Sequence, residues 1–331
     1  MAKVTLTDIS HETGYSLATV SRVINSVGIV KPETREQVIA AAVKLGYAIP
    51  AGAEAQPSTT PGDVILVCLP TLGNPFYEDV VAGIRKSAQN HGYNVLIREG
   101  SINVKTLPSV LSAISSSCTA GVITMDQISV EVLKSISAKV PVVQCCEYNS
   151  LANLPYVSVD DYRIGECAVE HLASIGKKRI ALLNGPITCK YAQHRLTGFL
   201  DTMRRLNLPE DSSMVINLSD ILPDLAFSAA LHLMKSGNPP DAFFTSSDVF
   251  ALAIIRAATS SGYRVPQDIA VIGVDNISLL AFSTPSITTV NQPKLQLGAT
   301  AGELLAERIR NPEAPIKQIT LDPELIVRES A

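Results

Sequence analysis

Residues 16–25, Ser-Leu-Ala-Thr-Val-Ser-Arg-Val-Ile-Asn, decide the fold of the N-terminal region. Val20, Val23 and Ile24 recur at the three- and four-residue spacing that places side chains on one face of an α-helix. Ser16 is a preferred residue for capping the start of a helix. The stretch therefore predicts a short helix with a buried apolar face and an exposed face of small polar side chains and one arginine.

Two further short helices flank this one. Thr5 is a preferred N-cap, and an acidic residue follows it in the first turn. Gly14 permits a sharp turn between the first and second helices. Pro32 favours the first turn of a third helix, which is predicted to end at Gly46. Residues 1–49 are therefore predicted to form an all-α helix-turn-helix head.

The rest of the chain differs from the head in composition and in its pattern of apolar residues. Residues 50–63 contain three prolines, two glycines and no large apolar side chain, and predict a linker or hinge. From residue 64 onward, continuous apolar runs alternate with amphipathic helical patterns, as expected where helices cover both faces of a parallel sheet. So many strands favour two doubly wound lobes rather than one. The predicted strands lie at residues 64–69, 94–97, 120–124, 140–144, 156–159, 179–183, 214–216, 242–245, 269–273, 287–290 and 324–327.

Composition and charge exclude some classes of protein. The chain is 46% hydrophobic and 18% charged, with a net charge of −4, whereas a protein that coats nucleic acid nonspecifically carries a large positive excess. Residues 1–49 carry five basic and four acidic side chains, a net charge of +1. A helix that exposes small polar side chains and one arginine suits the major groove of DNA. One head with so small a net charge would bind there weakly, which predicts a homodimer that reads two half-sites.

Cysteine and histidine spacing give no sign of a metal site. The six cysteines and five histidines are scattered, with neither a CxxC nor an HExxH pattern, and we expect no metal and no cofactor. The sequence starts with no apolar stretch of signal-peptide length, and no apolar run is long enough to cross a bilayer. We therefore predict a cytoplasmic protein with reduced cysteines and no membrane partner.

Motifs along nearly the whole chain resemble the lactose/galactose repressor family of bacterial transcription regulators. The matching motifs are VTLTDIS at 4–10, SLATVSRVIN at 16–25, NPFY at 74–77, VSVDD at 157–161, HRLTGF at 194–199, VPQDIAVIGVDN at 265–276 and TTVNQP at 288–293. The resemblance implies a head on a palindromic operator in double-stranded DNA and a body, residues 64–331, that dimerises and binds a small effector. The effector class implied is a sugar, nucleoside or purine.

The resemblance also implies a fold for the body. It would be a two-lobed α/β body like that of periplasmic binding proteins, with doubly wound parallel sheets. Lobe 1 would comprise about residues 64–160 and 291–320, and lobe 2 about residues 161–290 and 321–331. The two lobes would enclose the effector.

By the same resemblance, eight residues of the head would contact DNA. Arg22 can make a bidentate contact to guanine, whereas Leu17 and Ala18 can read only thymine methyl groups or shape. The positions implied for phosphate contacts are Thr5, Ser16, Thr19, Ser21 and Asn25. On spacing alone, a three-helix head that packs against another protein is the alternative.

The linker departs from the family pattern. In the family, a short hinge helix inserts a leucine into the minor groove, but no Leu, Lys or Arg occurs between Pro50 and Asp63. We therefore predict a weak or absent hinge helix and tolerance of varied half-site spacing.

Polar and aromatic residues follow several predicted strands, where ligands bind in open α/β sheets. The resemblance favours Arg195 and Asp275 most strongly as effector contacts. The full set of effector-binding candidates is Asn74, Phe76, Tyr77, Glu147, Asp160, Tyr191, Arg195, Asp248, Asp275 and Gln292. A lone aspartate at a strand end is more often a helix cap or turn residue, and the residues do not distinguish a sugar from a nucleoside.

Two other functions share parts of this pattern. A cytoplasmic α/β enzyme acting on a sugar or nucleoside is one, but the sequence has no GxGxxG after a strand, no GxxxxGK[ST] and no GxSxG. A periplasmic binding protein is the other, and the helical head argues against it. We therefore expect a transcription regulator whose head binds DNA, and not an enzyme.

Overall fold

The computed structural model describes residues 4–24, 32–47 and 62–331. The chain divides into two compact units, Met1–Pro61 and Gly62–Ala331, which are called the head and the body below. Asn25 and residues 50–61 of the predicted linker lie outside the described residues. Within the described ranges, no helix is both long enough and apolar enough to span a bilayer.

The head contains the three predicted helices. They are α1 (Leu6–Thr13), α2 (Leu17–Ile24) and α3 (Pro32–Leu45). Gly14 follows α1 in the left-handed region, with φ of 75°, and its amide donates to the Ser10 carbonyl. All three helices contribute to one small core, which consists of Ile9, Val20, Val23, Ile24, Val38, Ala41 and Ala42. The predicted apolar face of α2 is therefore confirmed.

The body contains two six-stranded sheets. The first comprises β1 (Val64–Leu69), β2 (Asn94–Glu99), β3 (Thr119–Thr124), β4 (Val142–Cys145), β5 (Tyr156–Val159) and β11 (Gln318–Leu321), in the order β11-β5-β4-β3-β1-β2. The second comprises β6 (Ile180–Asn184), β7 (Val215–Asn217), β8 (Ala242–Thr245), β9 (Ala270–Asp275), β10 (Thr288–Asn291) and β12 (Glu324–Ile326), in the order β12-β10-β9-β8-β6-β7. All paired strands run parallel except β10 with β12. This is the predicted doubly wound α/β body.

Helices cover both sheets. Those of the first lobe are α4 (Phe76–Asn90), α5 (Leu107–Ser116), α6 (Val130–Ser137) and α11 (Lys294–Arg310), and those of the second are α7 (Asp161–Ser174), α8 (Lys190–Arg205), α9 (Pro223–Met234) and α10 (Asp248–Ser260). Val80 and Ile84 of α4 are fully buried, as their spacing predicts. Helices α4 and α11 pack so closely that a Cβ at Gly298 would lie 1.9 Å from the Val80 carbonyl oxygen. Glycine there allows the two backbones to approach.

The sequence pattern missed strand β11. Its residues alternate between exposed and partly buried, so no continuous apolar run marks it, and it lies at the edge of the first sheet. The pairing of the strands shows to which sheet the residues near the predicted lobe boundaries belong. Asn291 is still part of β10 in the second sheet, and Leu321 is still part of β11 in the first.

Candidate functional site: the exposed face of α2 and the inter-lobe cavity

The polar face of α2 is open to solvent. Leu17 is 50% exposed, and Ala18 and Arg22 are also exposed. These three side chains were predicted to read base edges, and none of them is packed inside the head. The remaining described candidates are also accessible in whole or in part: Thr5, Ser16, Thr19 and Ser21.

Two of the predicted phosphate contacts also stabilise helix ends. Ser16 Oγ accepts a hydrogen bond from the Thr19 amide at 3.2 Å and lies 2.9 Å from Thr19 Oγ1. Asp8 Oδ2 accepts from the Thr5 amide at 2.7 Å and from Thr5 Oγ1 at 2.8 Å, and these bonds lower the pKa of the Asp8 carboxyl. Ser16 and Thr5 therefore fix the helices that carry the exposed face.

A cavity of about 450 Å³ lies at the carboxyl ends of strands from both sheets of the body. This is within the usual range for small-molecule sites. Eight of the ten effector candidates line it: Asn74, Phe76, Tyr77, Glu147, Tyr191, Arg195, Asp275 and Gln292. The rule that ligand-binding residues follow strand ends, called the strand-end rule below, therefore selected side chains from both lobes that line one cavity.

Asp160 and Asp248 are not part of the cavity lining. Asp160 Oδ1 accepts from the Arg163 amide at 3.0 Å, which makes Asp160 the N-cap of α7. Asp248 is fully buried and accepts from Thr289 Oγ1 at 2.7 Å and from the Ile277 amide at 2.9 Å. Both aspartates therefore hold the backbone in place, the role that a lone aspartate at a strand end commonly has.

A buried charge cluster that the sequence did not single out lies beside the cavity. The Asp161 carboxylate is 2.6 Å from Lys190 Nζ and 2.8 Å from Arg195 Nη2, and all three side chains are almost fully buried. Burial alone would raise the pKa of the Asp161 carboxyl, but Arg195 and Lys190 together hold it below its usual value. Asp161, rather than the adjacent Asp160, lines the cavity.

Arg195 has most of its donors occupied within the protein. Its Nε donates to Asp161 at 2.9 Å, and its Nη1 donates to the Ser246 carbonyl at 2.7 Å. The guanidinium lies 4.8 Å from the centre of the Tyr191 ring, a cation–π contact. Arg195 therefore faces the cavity as a fixed group whose position depends on Asp161.

Asp275 is a second buried carboxylic acid whose electrostatic interaction with Arg195 is favourable. Its Oδ1 accepts from Gln292 Nε2 at 2.7 Å, and its Oδ2 accepts from Ser247 Oγ at 3.1 Å. Burial raises the pKa of Asp275 to about 6, although Arg195 opposes the shift. Its φ of 112° is rare for a residue with a side chain, and such backbone is commonly held at functional sites.

Glu147 connects the two lobes. It follows β4 of the first lobe, and its carboxylate accepts from the Lys190 amide at 2.8 Å and from the Tyr191 amide at 3.0 Å, at the start of α8 in the second lobe. Burial raises the pKa of the Glu147 carboxyl, while Lys190 opposes this. The sequence predicted Glu147 as an effector contact, but not that it binds the end of a helix.

Comparison with known families gives two matches along the chain. Residues 5–49 match the model of bacterial regulatory proteins of the lacI family. Residues 169–331 match the periplasmic binding protein-like domain. The matched segments correspond to the head and to most of the second lobe together with α11 and β11 of the first.

Named relatives match over nearly the full length. The chain is 31% identical over 333 residues to the transcriptional regulator DegA of Bacillus subtilis, covering 99% of this chain and 98% of DegA. It is 30% identical over 331 residues to the transcriptional repressor CytR of Escherichia coli K12, covering 98% and 96%.

Solved structures show the same architecture. The transcriptional regulator CelR in complex with cellobiose has a TM-score of 0.75 at 27% identity, covering 99% of this chain and all of CelR. The Lac repressor dimer bound to operator and the anti-inducer ONPF has a TM-score of 0.74 at 26% identity, covering 99% of each chain. The predicted fold and the resemblance are confirmed: the chain belongs to the LacI family of bacterial regulatory proteins and is a transcription regulator, with a DNA-binding head and a periplasmic-binding-protein-like body.

Proposed function

We propose that the protein is a cytoplasmic repressor that binds a palindromic operator as a homodimer, and that a small sugar or nucleoside in the inter-lobe cavity controls its DNA affinity. The proposal depends on one observation: eight of the predicted effector-binding residues, from both lobes, line a single cavity. A ligand that contacts both lobes favours one arrangement of them over others. CytR is named a repressor, and the CelR structure holds cellobiose, which supports both parts of the proposal.

The head supports DNA recognition by its surface chemistry. Arg22 and the small side chains of α2 are exposed, while the apolar side of the same helix is buried in the head core. Small side chains allow a helix to approach the major groove, and an arginine can distinguish guanine there. The eight DNA contacts, Asn25 among them, and the operator's symmetry are proposals on this basis.

The linker completes the proposed mechanism. Residues 50–63 lack a leucine wedge, so we propose that no stable hinge helix kinks the operator. The coupling between ligand and DNA would then act through the spacing of the two heads. The protein should accordingly tolerate changes in half-site spacing. Inserting one base pair between the half-sites should reduce operator affinity only mildly, and a steep loss of affinity would argue for a hinge helix.

The direct test is operator selection followed by effector titration. The full-length protein is used to select duplexes from a random-sequence pool, and affinity for a selected duplex is measured by fluorescence anisotropy with each of a set of pentoses, hexoses and nucleosides. We expect enrichment of a palindrome, and at least one compound that changes affinity 5- to 150-fold, the usual span of allosteric coupling.

A conservative variant serves as the control for the cavity. Tyr77 lines the cavity, and Tyr77→Phe removes only a hydroxyl group, so this variant should keep operator affinity and weaken the response to the compound. Selection of no sequence would contradict the DNA-binding part. Turnover of a sugar or nucleoside by the purified protein would favour an enzyme instead.

A further inference from the structure

Helix N-termini that face the cavity have the chemistry of anion sites, because their first amides lack partners within the helix. In this body those amides already have acceptors. The Phe76 amide of α4 donates to Asn74 Oδ1 at 3.0 Å, and the Val249 amide of α10 donates to Ser247 Oγ at 3.3 Å. At these two helices a phosphate or carboxylate would have to displace the protein's own oxygen atom.

Helix α8 differs from the other two because its acceptor comes from the opposite lobe. The Glu147 carboxylate accepts from both the Lys190 and Tyr191 amides, at 2.8 and 3.0 Å. Cys189, the N-cap residue itself, makes no side-chain cap hydrogen bond. Glu147 is 7% exposed and lines the cavity, so it places a buried carboxylate where a ligand anion would otherwise bind.

The cationic side chains near the cavity are also bound to oxygen atoms of the protein. Lys190 Nζ is bound by the Asp161 carboxylate and by Ser158 Oγ at 2.8 Å, and Arg195 is bound by Asp161 and the Ser246 carbonyl. Among the described residues, one arginine lines the cavity together with five acids: Asp126, Glu147, Asp161, Asp220 and Asp275. The local charge balance therefore disfavours an anionic ligand.

We infer that the effector carries no phosphate or carboxylate group, and that Glu147 is the specificity-determining residue that rejects the anionic forms of sugars and nucleosides. This rests on the proposed function of the cavity as the effector site. The neutral hydroxyl and amide groups of an unphosphorylated sugar or nucleoside match the fixed carboxylate acceptors of the cavity and the remaining donors of Arg195 and Asn74.

The test compares full-length wild type, Glu147→Ala and Glu147→Gln in thermal melting with inorganic phosphate, with potassium chloride at equal ionic strength as the reference. The wild-type difference between the two salts is the baseline, because phosphate stabilises any folded protein somewhat by exclusion from its surface. Glu147→Ala exposes two helix amides, so the rise in its melting temperature from chloride to phosphate should exceed that of wild type by about 2 °C or more. Glu147→Gln keeps the side-chain volume and one acceptor oxygen, and should show a smaller rise.

Asp220→Ala is the matched control. Asp220 is an exposed acid of the same cavity lining, and its Oδ1 accepts from the neighbouring Ile221 amide, so its removal changes the charge but leaves α8 capped. This variant should respond to phosphate as wild type does. A second arm uses wild type alone with ribose and ribose 5-phosphate, and with uridine and uridine 5′-monophosphate; no phosphorylated member should stabilise it.

Three results would overturn the inference. They are stabilisation of wild type by a phosphorylated member of a pair, equal responses of Glu147→Ala and wild type to phosphate, and a gain in Asp220→Ala as large as in Glu147→Ala. The proposed function fails separately, if no compound alters operator affinity. A phosphate response that Glu147→Ala gains would still establish the role of Glu147 in that case.

Discussion

The head and the body hold their charged side chains in opposite ways. In the head, Arg22 is exposed and the Lys44–Glu12 ion pair lies at the surface, at 2.7 Å. In the body, Asp161, Lys190 and Arg195 form a buried cluster with close contacts. Exposed charges contribute little to stability but can meet a partner, whereas a buried charge must be compensated within the fold. Charge changes should therefore affect DNA binding in the head and stability in the body.

The largest expected effect comes from breaking the buried cluster. Asp161→Ala leaves two cations buried without their carboxylate, and should lower the unfolding free energy of the body by about 3–5 kcal/mol. Urea unfolding of the full-length protein measures this.

The adjacent residue provides a matched control. Asp160→Ala removes only the N-cap of α7, and should cost about 1 kcal/mol. Equal losses in the two variants would show that the cluster does not stabilise the body.

A smaller effect concerns the pH dependence of stability. Burial, with Asp275 nearby, raises the pKa of Asp248 to about 8, against 3.8 for an ordinary aspartate. Between about pH 4 and 8 the folded body then holds a proton that the unfolded chain has released, so this group makes the unfolding free energy fall as pH rises. Asp248→Asn should reduce that fall by at least about 1 kcal/mol.

Unfolding free energies measured at several pH values from 4 to 8 check this prediction. Asp268→Asn is the control, because hydrogen bonds from Arg264 lower the pKa of Asp268, and its carboxyl stays ionised across most of the window. An unchanged slope in Asp248→Asn would mean that Asp248 is charged in the folded body at neutral pH.

The smallest expected effect is in the head. Ser16→Ala removes the side-chain oxygen that accepts from the Thr19 amide, and should destabilise the head by about 1 kcal/mol, as measured by amide hydrogen exchange of α2. Ser16→Thr keeps a hydroxyl and should restore most of the protection. If Ser16→Ala leaves exchange unchanged, the cap does not stabilise α2.

Helices and buried strands were predictable because the spacing of their apolar residues is a local property of the sequence. The face of α2, the turn at Gly14 and the core run of β1 follow directly from it. The edge strand β11 did not, since its burial alternates weakly and its partner β5 is far away in sequence.

The cavity was predictable in outline but not in its charge pairing. The strand-end rule located Glu147, Arg195 and Asp275, yet it could not show that Asp160 caps a helix while Asp161 faces the cavity. That distinction depends on which residue begins α7. The contact of Glu147 with α8 depends on how the two lobes pack against each other, which no local sequence pattern can predict.

The most direct test of the contrast between head and body is the operator affinity of Arg22→Ala, with Arg22→Lys as the control, on a duplex selected by the wild-type protein. Because the exposed arginine is proposed to read base edges, we predict at least a tenfold loss for Arg22→Ala, reduced sequence preference and an unchanged melting temperature of the body. Arg22→Lys should keep phosphate attraction and lose part of the preference. Wild-type affinity and preference in Arg22→Ala would contradict the account.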